Sequence, residues 1–315
     1  VHARGLGKRY GELWALRDLD LTVPAGSVLG LLGHNGAGKT TAVRLLTTLA
    51  APTTGSATVA GYDVAAAPEH VRPRIGVAAQ EATVDGLLSR RANLEMIGRL
   101  YHLPAAGARE RAIELLELFG LADAADRLVK TYSGGLRRRL DLAASLVASP
   151  PVLFLDEPTT GLDPASRREL WQLLERLVAD GTTLVLTTQY LEEADALADQ
   201  IVVLDHGRVV AAGSPAELKA RIGGERIAVT VAAAAELEPA SAALAPFADG
   251  SADRDPEALA VTAPIRPQTR LMDVVRALDG AGVEAIDVQR REATLDDVFL
   301  TLTRPQTALL QEVAA

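Results

Sequence analysis

The segment Gly33-His34-Asn35-Gly36-Ala37-Gly38-Lys39-Thr40 constrains this chain more than any other. It fits G-x-x-x-x-G-K-[ST] at every fixed position. Before it runs Val28-Leu29-Gly30-Leu31-Leu32, a short apolar stretch suited to a buried strand of a mostly parallel sheet. After it, from Thr40 onward, Thr-Ala-Val-Arg-Leu-Leu has helical spacing. Strand, glycine loop and helix in that order let backbone N–H groups curl around phosphate oxygens, with the positive end of the helix dipole behind them. Gly33, Asn35, Gly36, Gly38 and Thr41 are assigned to this cradle, while His34 fills a loop position. Lys39 neutralises phosphate charge, and the Thr40 hydroxyl is a ligand for Mg²⁺. Lysine is scarce, at four residues in 315, so one at this position is informative.

Strand and helix patterns continue to alternate along the chain. Strand candidates are Leu19–Val23, Val152–Leu155, Thr183–Thr187, Gln200–Leu204 and Arg208–Val210; helix candidates include Leu136–Val147, Leu191–Ala198 and Pro215–Arg221. Such alternation predicts an α/β domain with a parallel sheet core over 1–222. A helical region over about 85–148 reads as an insert. Gly223-Gly224 ends the pattern, and a small C-terminal α/β domain follows over 223–305, then a tail over 306–315. Its strand candidates are Arg226–Val231, Ala258–Thr262 and Val283–Val288, and its helix candidates Ala233–Leu244, Thr269–Leu278 and Leu295–Leu302. The acidic, Gly- and Pro-bearing stretch 249–257 reads as a loop, Val274, Val275 and Leu278 as a core face, and Thr294-x-x-Asp297 as a capping box.

Two further motifs carry chemistry. Asp156-Glu157 closes an apolar strand, at the edge where open α/β sheets bind ligands. Asp156 suits a Mg²⁺ site and Glu157 suits a general base for an attacking water. Ser133-Gly134-Gly135 opens a helix, which makes either a second anion site or a plain capped helix. Arg137-Arg138-Arg139 follow, and three consecutive positions cannot share one helix face, so they read as a solvated, ion-paired surface. A single nucleotide needs one phosphate site, and the residues alone leave the purpose of a second open.

Taken together, residues 1–222 resemble the nucleotide-binding domain of ATP-binding cassette transporters. Gly33–Thr40 resembles Walker A; Val152–Glu157 resembles Walker B with the catalytic glutamate; Tyr132–Leu136 resembles the signature loop. Gly161-Leu162-Asp163 is similar to the D-loop, Gln80 to the Q-loop glutamine, and Tyr10 to the A-loop aromatic. Tyr132–Ala143, Thr187–Asp195 and the terminal Thr294–Leu300 resemble, more narrowly, the daunorubicin/doxorubicin-resistance subunits that accompany separate ABC-2 membrane exporters. Leu136 stands at the signature glutamine position and Gln189 at the switch histidine position. A glutamine donates a hydrogen bond but does not titrate.

The resemblance implies an ATPase that binds ATP and Mg²⁺ and powers efflux of a drug or other hydrophobic compound through a separate transmembrane permease. It implies a head-to-tail pair of chains. Lys39, Thr40, Gln80, Asp156, Glu157 and Gln189 act from one side of each ATP; Ser133, Gly135 and Asp163 act from the other, and Gly134 is among the implied nucleotide-binding residues. Glu157, Gln189 and Lys39 are the implied catalytic residues. Thr40, Gln80 and Asp156 are the implied metal group. Tyr10 either stacks on adenine or is a core aromatic, and Gln189 either contacts phosphate or orients a neighbour.

No apolar run approaches the roughly 18 residues of a membrane span; the resemblance therefore implies a peripheral subunit at the cytoplasmic membrane face. The first ten residues lack the apolar run of a secretion signal. With no cysteine there is no disulfide and no thiolate site. A net charge of −9 argues against a nucleic-acid partner, and with it against a soluble cassette ATPase working on nucleic acid or ribosomes. An importer ATPase is the nearer alternative, because it shares the catalytic motifs and only the C-terminal domain separates it.

Overall fold

The computed structural model describes residues 1–79, 83–123, 125–222 and 225–303. Gln80, Gly223-Gly224 and the tail expected over 306–315 lie outside the described residues. The chain divides into two compact units, Val1–Ser214 and Pro215–Ala315. No helix among the described residues is long and apolar enough to cross a membrane.

In chain order the first unit contains β1 (His2–Tyr10), β2 (Leu13–Thr22), β3 (Val28–Leu32), α1 (Lys39–Leu46), β4 (Thr54–Val59), β5 (Tyr62–Asp63), α2 (Pro68–Val71) and β6 (Ile75–Ala78). Then come α3 (Arg90–Leu100), α4 (Ala105–Leu118), α5 (Gly134–Ser145), β7 (Val152–Asp156), α6 (Pro164–Ala179), β8 (Thr183–Thr188), α7 (Leu191–Leu197), β9 (Gln200–Asp205) and β10 (Arg208–Gly213). A six-stranded sheet in the order β10-β9-β3-β8-β7-β6 forms the core, parallel except for the β10–β9 pair. Every residue of β3, β7 and β8 is buried, as their continuous apolar character requires. The register sets Asp156 of β7 opposite Thr187 of β8, and Leu32 of β3 opposite Thr188. The glycine loop after β3 and the carboxylates ending β7 therefore emerge at one edge of the sheet.

A second sheet of this unit is antiparallel, in the order β2-β1-β4-β5. The sequence reading found only the end of β2, because β1 does not alternate. Gly5 adopts φ 55 and the β1–β2 register shifts three times, which breaks the period of two. Helices α3, α4 and α5 lie between β6 and β7, in the stretch expected as an insert. Its interior holds Leu94, Ala108, Ala112, Leu115, Leu116 and Leu140, and the Ser89 hydroxyl caps α3 by accepting from the Ala92 amide.

The second unit begins with α8 (Pro215–Arg221) and β11 (Glu225–Val231), followed by α9 (Leu237–Leu244), β12 (Asp253–Asp255), β13 (Ala260–Pro264), α10 (Leu271–Gly280), β14 (Ala285–Glu292) and α11 (Leu295–Thr303). Helix α8 packs with α11, so it belongs to this unit, whereas the sequence reading placed the division near 222. The sheet runs β12-β13-β11-β14, antiparallel throughout. Ile227, Val229, Val231, Val261, Val274 and Leu278 form its core; Val275, expected there too, is 37% exposed. The stretch expected as a loop contains β12, which pairs with β13 despite its charged residues because an edge strand needs only one neighbour. The capping box holds: the Asp297 carboxylate accepts from the Thr294 amide at 2.8 Å, and the Thr294 hydroxyl accepts from the Asp297 amide at 3.4 Å. Burial works to raise the Asp297 carboxyl, but Arg291, the Thr294 amide and Arg226 outweigh it and hold it below the usual range.

Candidate nucleotide site

The glycine loop turns sharply where its residues allow. Gly38, the residue before α1, has φ 111, and a Cβ there would lie 2.7 Å from the Ala15 carbonyl oxygen. At Gly33 a Cβ would lie 2.5 Å from the Leu204 carbonyl oxygen. Only glycine fits this backbone. Beside it opens a cavity of about 460 Å³ lined by Ala15, His34, Asn35, Gly36, Gly38, Lys39, Thr40, Thr41 and Glu157.

Lys39 is 5% exposed, and its ammonium donates to the Gly33 carbonyl at 2.6 Å and the His34 carbonyl at 3.2 Å. It stands 3.6 Å from Glu157 Oε1, whose side chain is 8% exposed. Glu157 Oε2 accepts from the Thr160 hydroxyl at 3.3 Å. Its amide donates both to the Thr187 carbonyl and to the Thr187 hydroxyl. The same hydroxyl donates to Asp156 Oδ1, which also accepts from Thr40 at 3.5 Å. An exposed threonine hydroxyl beside a buried carboxylate is an all-oxygen donor set, which suits a hard cation such as Mg²⁺. His34, read as a bystander, contacts Asp205 Oδ1 through Nε2 at 2.9 Å and so ties the loop to the end of β9.

The remaining expected residues lie elsewhere in the same unit. Tyr10 ends β1, is 49% exposed, and has Lys8 over its ring. Gln189 is exposed just after β8. Ser133 caps α5, accepting from the Leu136 amide at 3.4 Å, and both it and Gly134 are exposed; Gly135 is half-buried. Asp163 caps α6 through the amides of Ala165 and Ser166 and the Ser166 hydroxyl. The Ser166 bonds hold its carboxyl below the usual range. None of these lines the cavity beside Lys39. Gln80 lies outside the described residues.

The arginine run differs from its reading as a solvated surface. Arg139 pairs with Glu169 at the surface, but Arg138 is 9% exposed. Its guanidinium points inward because backbone carbonyls at the end of β7 accept from it. Burial pulls its pKa down, opposed by the carboxylates of Asp141, Asp156, Glu193 and Glu157. Arg138 and Thr187 are the site-forming residues the sequence reading missed. A threonine in a buried strand carries no distinguishing pattern, and one arginine among three cannot be singled out without the helix phase.

A family model described as ABC transporter matches residues 16–160. The chain is 55% identical over 308 residues to the daunorubicin resistance ATP-binding protein DrrA2 of Streptomyces coeruleorubidus, covering 98% of this chain and 96% of that one. The chain belongs to the ATP-binding proteins of ABC transporters. With the daunorubicin/doxorubicin resistance ATP-binding protein DrrA of Streptomyces peucetius it shares 48% identity over 96% of this chain and 92% of that protein. A dimeric ATP-binding cassette solved in a post-hydrolysis state with ADP and phosphate superposes at a TM-score of 0.63, with 26% identity, over 68% of this chain and 97% of that one. This ABC protein is thus an ATP-binding, ATP-hydrolysing enzyme similar over nearly its whole length to daunorubicin-resistance ATP-binding proteins, and the matched part of its fold is that of a cassette ATPase.

Proposed function

We propose that this ABC ATPase powers efflux of a drug or other hydrophobic compound through a separate membrane permease, acting as a head-to-tail pair at the cytoplasmic face. The observation that carries the catalytic half is the convergence of Lys39, Thr40 and Glu157 at one cavity, with Asp156 reached from the Thr40 hydroxyl at 3.5 Å. The glycine backbone and Lys39 bind the β- and γ-phosphates of ATP. Glu157 orients a water and takes its proton as the water oxygen bonds to the γ-phosphorus. The bond from that phosphorus to the ADP oxygen breaks, and the proton leaves with phosphate. Bound Mg²⁺, held by Thr40 and Asp156 with Gln80, supplies charge neutralisation at the phosphates. Tyr10 contacts the adenine, and the Gln189 amide donates to the γ-phosphate.

Exposure of Ser133, Gly134 and Asp163 away from the Lys39 cavity supports their acting on the ATP of a second copy. Isologous two-fold pairing is the common symmetry for such an assembly. An apolar groove of about 530 Å³ where the helical insert meets the sheet core, lined in part by Leu49, Met96, Leu100 and Tyr101, supports permease docking there. The resistance function named for the relatives supports the efflux direction.

Tagged chain recovered from detergent-solubilised membranes is expected to bring an integral membrane protein with it. The reconstituted pair is expected to hydrolyse ATP faster with amphipathic drugs. Glu157→Gln is expected to lower turnover at least about 100-fold, keep ATP affinity and accumulate an ATP-dependent dimer. Wild-type turnover by Glu157→Gln removes the base assignment; drug-independent turnover in the pair removes the efflux assignment.

A further inference from the structure

Arg138 is a buried charge that the proposed chemistry does not use. Its guanidinium donates to the carbonyls of Asp156 at 2.8 Å, Glu157 at 3.1 Å and Pro158 at 3.1 Å, and also to that of Ala79. Three of those carbonyls are consecutive and bracket Glu157. Glu157 itself sits at φ 51, a left-handed conformation that L residues hold only where surroundings enforce it.

One helical turn further along α5, Asp141 lies 3.7 Å from Arg138 and accepts from the Thr83 amide at 2.7 Å and hydroxyl at 2.6 Å. Ala79 and Thr83 flank residues 80–82, and α5 starts at the Ser133 cap. A single guanidinium–carboxylate pair therefore fastens three things together: the helix rising from Ser133-Gly134-Gly135, both flanks of Gln80, and the peptide of Glu157.

We propose that Arg138 is a positioning residue for Glu157. It holds the left-handed turn that aims the Glu157 carboxylate toward Lys39, and through Asp141 it links that aim to the α5 helix and to the flanks of Gln80. This rests on Glu157 acting as the base. The residue type follows from the task. A planar fork of five N–H donors reaches several carbonyls at once, whereas the three donors of an ammonium radiate from one point and a glutamine amide has only two. A substitution withdraws the guanidinium from these carbonyls, of which that of Glu157 keeps only the Thr160 amide at 3.3 Å, and frees the Glu157 turn. Small misplacements of a catalytic group cost up to about 100-fold in rate.

The test compares full-length Arg138→Lys, Glu157→Gln and the double variant. Turnover is followed in steady-state and long single-turnover assays, and affinity by equilibrium binding of a fluorescent ATP analogue. Arg138→Lys is expected to lower kcat about 10- to 100-fold while keeping the dissociation constant within about threefold. In the Glu157→Gln background the same change is expected to lower the residual rate less than about twofold, because Arg138 acts through the missing carboxylate.

Wild-type kcat, equal losses in both backgrounds, or a loss confined to affinity overturns the proposal. If Glu157→Gln turns over normally, the base reading fails instead. Should Arg138→Lys not fold by circular dichroism, Asp141→Asn decides: it keeps an oxygen for Thr83 but removes the charge facing Arg138. It is expected to lower kcat about 3- to 10-fold at unchanged affinity; unchanged kcat overturns the proposal.

Discussion

Thr187→Val isolates one hydroxyl at the centre of the carboxylate edge. Thr187 is fully buried, and valine matches its shape, so the substitution opens no cavity. Two bonds are lost: the donation to Asp156 Oδ1 and the acceptance from the Glu157 amide. The Glu157 amide keeps the Thr187 carbonyl at 3.1 Å, so it is not orphaned. Asp156 Oδ1 is left with the Thr40 hydroxyl at 3.5 Å, a weak contact for a carboxylate oxygen. The cost is therefore that of one buried hydrogen bond to a charged acceptor, about 1.5–3 kcal/mol.

Both tryptophans, Trp14 and Trp171, lie in the first unit, so their fluorescence follows that unit alone through urea unfolding. With a slope of about 2–3 kcal/mol per molar, the midpoint is expected to fall by roughly 0.5–1.5 M. Thr47→Val is the control. Its hydroxyl is as buried but donates to the Val43 carbonyl, which keeps the Thr47 amide, so about 1 kcal/mol or less is expected. Equal shifts for the two variants would refute the assignment of Thr187 as the ordering group of Asp156.

Two further outcomes follow from backbone and burial. Gly38→Ala places a Cβ against the Ala15 carbonyl at a φ that disfavours L residues, while Gly36→Ala at φ 87 meets nothing within 4 Å. The first is expected to abolish ATP-analogue binding and cost more than about 2 kcal/mol in urea, and the second about 1 kcal/mol, from strain alone; the reverse order would be evidence against the cradle geometry. Glu193 is fully buried, and burial raises its carboxyl pKa against the hydrogen bond it accepts from the Trp171 indole. Its folded pKa thus exceeds the unfolded one, so stability falls as pH rises from about 4.3 through the raised value and stays lower above it. Glu193→Gln is expected to melt higher than the parent at pH 8, with the gain gone near pH 4; a constant difference across that range would remove burial of the charge as its cause.

What the sequence made legible were features whose physics is local. The glycine loop needs its residues at fixed spacing, and β3, β7 and β8 are buried on both faces, so their apolar runs are continuous and easily read. The capping box at Thr294 and Asp297 is equally local. Strand β1 escaped because its bulges break the alternation, and β12 because charged residues serve at an edge. Arg138 escaped for a longer-range reason. Its partners at 79 and 156–158 are brought to it only by the β6–β7 pairing and by the packing of α5 on β6.

The contacts of Lys39 bear on how the site separates binding from chemistry. Two carbonyls of the glycine loop and the Glu157 carboxylate surround its ammonium. A phosphate entering the cradle competes with these oxygens rather than meeting a free charge. The carboxylate is the strongest competitor, with a gross attraction of about 4–5 kcal/mol at 3.6 Å for an effective dielectric near 20. It also repels the incoming anion. Glu157→Gln removes both terms while leaving the carbonyls in place, so ATP should bind this variant at least as tightly as the parent even as turnover collapses. Opposite signs for affinity and rate at one residue are what a carboxylate acting on the attacking water requires. A substitution that merely loosened the glycine loop would weaken both together.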